Sequence, residues 1–300
     1  MKRRTFIQNT AALTTGTILT SAGCATTATT SMDTTPTAPT TLTPSLRKGN
    51  IRHSVSRWCF GKYPLEEFLP MLKDIGIPAI DLVGPDDWDT LKKYGIDCSM
   101  CNGAEINLVD GWNEPKFHEQ LVKNYTEMIP KVAAAGYKNL ICFSGNRREM
   151  SDEVGLKNCV KGLNIIMPLA EENGVTIIME LFNSKVDHPD YMCDNTPWGI
   201  KLCDQLGSEH FKLLYDIYHM QINEGDIIRT IRNHNSYFAH YHTAGVPGRN
   251  EINDTQELNY PAIMRAILKT GFRGYVAQEF IPTYENPIDA LRESIDICDV

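Results

Sequence analysis

Residues 211–226 read FKLLYDIYHMQINEGD, and the first six of them decide the fold. Phe211, Leu213 and Leu214 form a short apolar run that stops on Asp216, with His219 and Gln221 close behind. A run of this length bounded by polar residues predicts a buried strand. A buried strand that ends on a carboxylate must give that charge a partner or an ion. Three other segments end in the same way: 176–180 in VTIIMELF, 238–242 in FAHYHTAG and 275–279 in YVAQEF. Glu180, Asp216, His242 and Glu279 are therefore spaced by 36, 26 and 37 positions. Each interval accommodates one helix with its two loops.

Outward from these four strands the alternation continues. Strands are expected at residues 53–60, 78–83, 96–102, 139–143, 175–181, 211–216, 237–243 and 274–280. Helices are expected at 64–75, 87–94, 113–135, 151–173, 197–206, 226–233, 260–270 and 286–297. The helix over 113–135 carries Phe117, Leu121, Tyr125, Met128 and Val132 on one stripe and stops at Gly136, a residue suited to a helix C-terminus. Strict alternation implies parallel strands with right-handed crossovers. Eight units in about 250 residues is the size of a closed (β/α)8 TIM barrel. The alternative, an open doubly wound sheet, is disfavoured because the first strand-to-helix turn, Cys59-Phe60-Gly61-Lys62, lacks the glycine-rich dinucleotide fingerprint.

In such a barrel the strand ends converge on one mouth. Three carboxylates held together there repel, and without a cation one of them would take up a proton. A single divalent ion resolves the conflict. Hard oxygens plus one imidazole suit Mn, Mg, Co or Zn rather than copper. Any one of the four residues alone reads more readily as a salt-bridged barrel residue; four at matching positions favour a metal site.

The 300-residue chain is 42% hydrophobic and 22% charged, with a net charge of −8. An acidic body without a basic run argues against a nucleic-acid partner. The start is different in kind. Lys2-Arg3-Arg4-Thr5-Phe6-Ile7 precedes a mildly apolar stretch over 11–23, the pattern of a twin-arginine export signal over residues 1–24. That stretch is too short and too threonine-rich to span a membrane. Ser21-Ala22-Gly23-Cys24 is similar to a bacterial lipoprotein cleavage box, with Ser21 in place of the usual aliphatic residue, so Cys24 is a candidate lipid anchor. Residues 25–50 are dominated by Thr and Pro over most of their length and read as a disordered tether. The barrel occupies 51–300. The expected location is outside the cytoplasm, periplasmic or anchored to the membrane as a lipoprotein.

Of the nine cysteines, Cys98 and Cys101 have the spacing of a zinc or redox motif. They fall on an expected strand, where residues three apart face opposite sides. They therefore read as small core residues, not as joint ligands.

Three segments carry a family resemblance: Met179-Glu180 with Asn183 downstream; Asp216-Ile217-Tyr218-His219-Met220-Gln221; and residues 240–251, HYHTAGVPGRNE, leading to Glu257-Leu258-Asn259-Tyr260. On these the chain resembles the xylose-isomerase-like TIM barrels, and within them the hydroxypyruvate isomerases. The last segment is close to the isomerase pattern H-x-Q-x-A-D-x-P-G-R-x-E-P-x-x-G-E-I-N-Y. His242 stands where those isomerases usually place Gln and resembles instead the ketose 3-epimerases, which bind their metal through Glu, Asp, His and Glu. Gly245 replaces an Asp, and Ile252 and Gln256 replace a Pro and a Gly.

The resemblance implies a divalent ion held by Glu180, Asp216, His242 and Glu279. It implies that Glu180 and Glu279 also act as the acid/base pair, passing a proton through a cis-enediolate of a small sugar or hydroxy-carbonyl acid. His219 matches a residue that hydrogen-bonds a substrate oxygen, and Arg249 one that clamps an oxygen or carboxylate. Two other readings stay open: a lyase or dehydratase acting on an oxidised sugar or keto-glycoside, and a non-catalytic exported carbohydrate-binding protein. The intact glutamate pair counts against the second. Among further residues, Asn183 is expected to orient Glu180. His240 either lines the mouth or packs, and Trp112 either covers a sugar or sits exposed in a loop. His188 reads as surface and His53 as core, while Arg147 and Arg148 either attract an acidic substrate or solvate a helix start.

Overall fold

The apolar runs become eight parallel strands. In the computed structural model, which describes residues 47–300, these are β1 (Arg52–Val55), β2 (Ala79–Val83), β3 (Asp97–Cys101), β4 (Asn139–Cys142), β5 (Thr176–Glu180), β6 (Phe211–Asp216), β7 (Phe238–Thr243) and β8 (Tyr275–Gln278). They pair in the order β1-β8-β7-β6-β5-β4-β3-β2. β1 and β2 meet across the remaining seam at one parallel bridge, Ser56 to Asp81. The result is a (β/α)8 barrel. The export signal, Cys24 and the tether as far as residue 46 lie outside the described residues. Residues 47–50 are tied to other elements: Arg47 Nε donates to Ile75 O at 2.9 Å, its guanidinium pairs with Asp296, and Asn50 Nδ2 donates to Val300 O at 2.9 Å.

The helices are α1 (Leu65–Ile75), α2 (Trp88–Tyr94), α3 (His118–Ala135), α4 (Asp152–Asn173), α5 (Thr196–Leu206), α6 (Ile217–Asn223), α7 (Ile227–His234), α8 (Tyr260–Lys269) and α9 (Pro287–Cys298). The stripe on α3 behaves as its spacing requires: Leu121, Tyr125, Met128 and Val132 are all buried. Burying one such side chain contributes about 1.5–3 kcal/mol. Gly136 ends α3 in the left-handed region at φ 86°, where a residue with a Cβ would be strained.

Four local departures from the expected pattern matter for function. β1 stops at Val55, and Arg57–Phe60 forms a 3-10 turn. Arg57 holds that turn by donating to Phe60 O and Tyr63 O at 2.9 and 2.8 Å, and Phe60 stacks on Phe68. The aromatic content of the turn is what makes it look like strand. α3 begins at His118, not 113, because Pro115 opens a separate 3-10 turn. α6 follows β6 directly, with the Asp216 side chain accepting the His219 N–H as its N-cap. An aspartate at a strand end followed by helix-compatible residues is the signal for such a start.

The fourth departure lies between β2 and β3. The register runs Ile80 to Cys98, Asp81 to Met100 and Val83 to Cys101, so Ser99 and Leu82 are each an extra residue. Bulges of this kind break the two-residue alternation. The Cys98 and Cys101 sulfurs consequently lie 3.6 Å apart instead of facing opposite sides. Both thiols are free and buried, in keeping with small core residues.

Candidate active site

The strand ends converge as their spacing requires. Asp216 pairs in register with His242, and His242 with Ala277. Glu279, one residue past β8, continues the ladder by donating its N–H to Thr243 O at 2.9 Å. Glu180, Asp216, His242 and Glu279 are 2, 1, 0 and 3% exposed, and one ligating atom from each lies within 4.8 Å of the others. His242 Nδ1 is 3.1 Å from Glu180 Oε1, 3.0 Å from Glu279 Oε2 and 3.8 Å from Asp216 Oδ2. Three carboxylates around one imidazole nitrogen form a donor set that fits a hard or borderline divalent ion.

The electrostatics show the cost of placing these groups together. Burial, with Glu279 and Asp216 adjacent, pushes Glu180 up to about 8 despite His242. Burial and Glu279 likewise push Asp216 up to about 6. Burial opposes charge on Glu279 as well, but His242, Arg249 and the Trp58 hydrogen bond outweigh it and hold this carboxyl well below the usual range. The two glutamates are thus chemically unlike. Glu279 is gripped by Trp58 Nε1 at 2.8 Å and by Arg249 Nη2 at 2.6 Å, whereas among the described residues the Glu180 carboxyl has only the His242 contact.

Arg249 borders the same site, with its guanidinium 5.1 Å from the Trp58 ring centre and 5.6 Å from that of Tyr218. Its backbone occupies the left-handed region at φ 57°, a strain of about 1–3 kcal/mol that the surrounding loop must hold. His219 is fully buried beside the ligand set, its Nε2 3.8 Å from Asp216 Oδ2. Asn183 fixes its orientation. Asn183 Oδ1 accepts the Val186 and Asp187 N–H groups, so its Nδ2 donates to Asp187 and to His219 Nδ1 at 2.6 Å. His219 Nδ1 is then the acceptor and Nε2 carries the proton, without a hydrogen-bond partner among the described residues and turned to Asp216. Asn183 therefore orients His219, not Glu180.

Above the four residues lies a cavity of about 340 Å³, lined by Glu180, Glu279 and Arg249 and walled by Trp58, Phe143 and Phe182. His188 also lines it, stacked on Phe182 with ring centres 4.3 Å apart; it is a wall residue, not a surface one. Trp112 neither covers the cavity nor lies exposed: it is fully buried, 5.3 Å from the Tyr125 ring. Arg147 is spent on Asp152, Asp194 and the Met192 carbonyl, and Arg148 on Asp110 and Glu114. His53 is buried, as a core histidine should be. Gly245 has its reason in the backbone: a Cβ there would lie 2.2 Å from Glu251 O. Gln256 staples the same loop, donating to Leu258 O at 2.7 Å and accepting Leu258 N–H at 2.6 Å.

Two contributors escape sequence patterning. Trp58 is 46% exposed over the mouth because the 3-10 turn after β1 puts it there. Asp81 lies fully buried in the barrel, its Oδ2 2.8 Å from His242 Nε2 and 2.7 Å from His240 Nε2. His240 accordingly points inward to Asp81 and not into the mouth. Burial opposes the charge on Asp81, but His240 and His242 outweigh it and hold the carboxyl at about 2.

Comparison with known proteins agrees with this architecture. Over 113 residues the chain is 34% identical to a 2-oxo-tetronate isomerase of Cupriavidus necator, covering 38% of this chain and 43% of that protein. Over 234 residues it is 27% identical to the hydroxypyruvate isomerase of Escherichia coli, covering 74% and 90%. A crystal structure of an AP endonuclease, family 2, from Brucella melitensis is similar in fold, with a TM-score of 0.72 at 21% identity over 80% of this chain and 96% of that one. The family model described as xylose isomerase-like TIM barrel matches residues 88–299, and the chain belongs to that family.

Proposed function

We propose that the protein is a divalent-metal-dependent isomerase or epimerase of a small sugar or hydroxy-carbonyl acid. The observation that carries this reading is the convergence of Glu180, Asp216, His242 and Glu279 within 4.8 Å, with both glutamates also lining the 340 Å³ cavity. The relatives named as isomerases support the class. The alignment spans 43% of the Cupriavidus relative and 90% of the Escherichia one.

Glu180, Asp216, His242 and Glu279 would hold the ion, which supplies the positive charge that makes a proton beside a carbonyl acidic. The chain's own groups do the rest. One glutamate takes that proton and the other returns it, to the same carbon in an epimerase or to its neighbour in an isomerase. Trp58 and Arg249 keep Glu279 aimed at the cavity. The Nε2 proton of His219 is a fixed donor for a substrate oxygen beside the ligand set. The aromatic walls limit water around the exchanging proton.

Incubation of the manganese-, cobalt- or zinc-loaded protein with hydroxypyruvate, ketoses and keto-glycosides in deuterated water, read by NMR, tests the proposal. Deuterium entering at a carbon next to the carbonyl is the expected result. Binding without exchange would contradict it and favour a carbohydrate-binding protein; loss of water or of an aglycone would favour the lyase or dehydratase.

We also propose that residues 1–24 direct export through the twin-arginine route, on the motif Arg3-Arg4-Thr5-Phe6. Replacing Arg3 and Arg4 together by Lys is expected to leave the protein in the cytoplasm, as fractionation would show; normal export would refute the assignment.

A further inference from the structure

One buried cluster has no part in the proton transfer. Asp81, His240 and His242 are all fully buried, and Asp81 Oδ2 meets the Nε2 atoms of both histidines. His242 differs from the other three ligands in offering two nitrogens. Nδ1 faces the carboxylates of Glu180, Glu279 and Asp216; Nε2 faces Asp81. An imidazole ligates an ion only through a nitrogen without a proton, so the acceptor at the other nitrogen decides which one is the ligand.

The backbone holds Asp81 to this task. It bridges Ser56 on one side, closing the barrel seam, and pairs with Met100 on the other. The next residue, Leu82, is the extra residue of the bulge and takes a left-handed conformation at φ 57°. That conformation is rare for a branched side chain, and here it belongs to the bulge that resets the register just after Asp81.

We infer that Asp81 is a positioning residue for the metal centre: by accepting the Nε2 proton of His242 it presents Nδ1 to the ion, with His240 bracing the carboxylate from the same strand. This inference rests on the proposed metal centre and adds the determinant of its imidazole ligand. It differs from a competing arrangement in a way that can be read. Asp81, His240 and His242 lie close enough to hold an ion themselves; an ion there would take the Nε2 lone pair and put the proton on Nδ1, the opposite tautomer.

The experiment compares parent protein, Asp81→Asn and His240→Phe. Zinc affinity is measured by competition with a chromogenic chelator. The visible spectrum of the cobalt form reports ligand geometry, and nitrogen spectra of histidine-labelled zinc protein report the tautomer. Asp81→Asn is expected to weaken zinc by about tenfold to a hundredfold, the usual effect of losing such a partner, and to change the cobalt spectrum. His240→Phe keeps the carboxylate and is expected to cost less, about tenfold or under. The parent zinc form is expected to show His242 bound through Nδ1 with a proton on Nε2, an assignment that stands even if Asp81→Asn does not fold. Zinc affinity in Asp81→Asn within about twofold of the parent with the same cobalt spectrum, or zinc on Nε2 in the parent, overturns the inference. A parent that binds no ion overturns the metal centre and this inference together, whereas an unchanged Asp81→Asn overturns this inference alone.

Discussion

The two halves of the barrel contribute to the mouth in different ways. Strands β5 to β8 deliver the four candidate ligands, one at or just beyond the end of each strand. Strands β1 to β4 end in no ligand. They supply instead part of the wall and of the supports: Trp58 after β1, Asp81 and Leu82 on β2, Leu108 after β3 and Phe143 after β4, completed by Phe182, His188 and Arg249 of the other half. One half carries the candidate ligands and the other helps to set where they point. Side chains that exchange a proton and side chains that aim them are therefore separable by substitution.

The largest effect belongs to the charged half. Glu279→Gln and Glu180→Gln each keep an oxygen able to ligate and lose the base. Each is expected to lower substrate deuterium exchange by at least about a hundredfold while the protein still takes up metal. The double variant should lose far less than the combined single losses, because groups acting as one unit are not additive. Exchange at the parent rate in both single variants would break the division of labour.

A smaller effect belongs to the supporting half. Trp58→Phe keeps an aromatic wall and removes the indole N–H that Glu279 accepts at 2.8 Å. A hydrogen bond to a charged group contributes about 1.5–3 kcal/mol, so kcat should fall by about tenfold or more with KM nearly unchanged. A rise in KM at constant kcat would mean that Trp58 serves as wall alone.

The smallest effect concerns stability and lies on β1, at His53. Burial lowers His53 to about 4, against the pull of Asp299. Between about pH 6.5 and 4 the unfolded chain binds this proton and the folded one does not. Stability is then full above about 6.5, declines as pH falls through this window, and levels off below it. His53→Leu should flatten that limb of the melting curve and leave activity at neutral pH unchanged. An identical acid limb in the variant would assign the loss to other groups.

Legibility divides along the same line as the chemistry. Glu180, Asp216, His242 and Glu279 could be read because each ends an apolar run and each interval leaves room for a helical crossover, although the shortest holds two helices, α6 and α7. Arg249 and His219 could be placed from the motifs around them. Asp81 could not: AIDLV reads as a buried strand with an unexplained acid, and nothing in it signals the bulge at Leu82 that breaks the alternation. The same bulge, with Ser99 opposite, defeats the expectation that Cys98 and Cys101 face apart. Trp58 was hidden in a segment whose aromatic content imitates strand, although Arg57 folds it into a turn. His188 precedes a proline in a loop and looks exposed; only its stacking on Phe182 makes it a wall. Patterns of period two and 3.6 locate the elements, but the walls depend on turns and bulges that have no period.

The most direct test of the account is the position of the ion itself. A crystal of the manganese-loaded protein, measured at an anomalous wavelength, is expected to show one strong peak touching Glu180, Asp216, His242 and Glu279. A peak between Asp81, His240 and His242, or none at the strand ends, would contradict it.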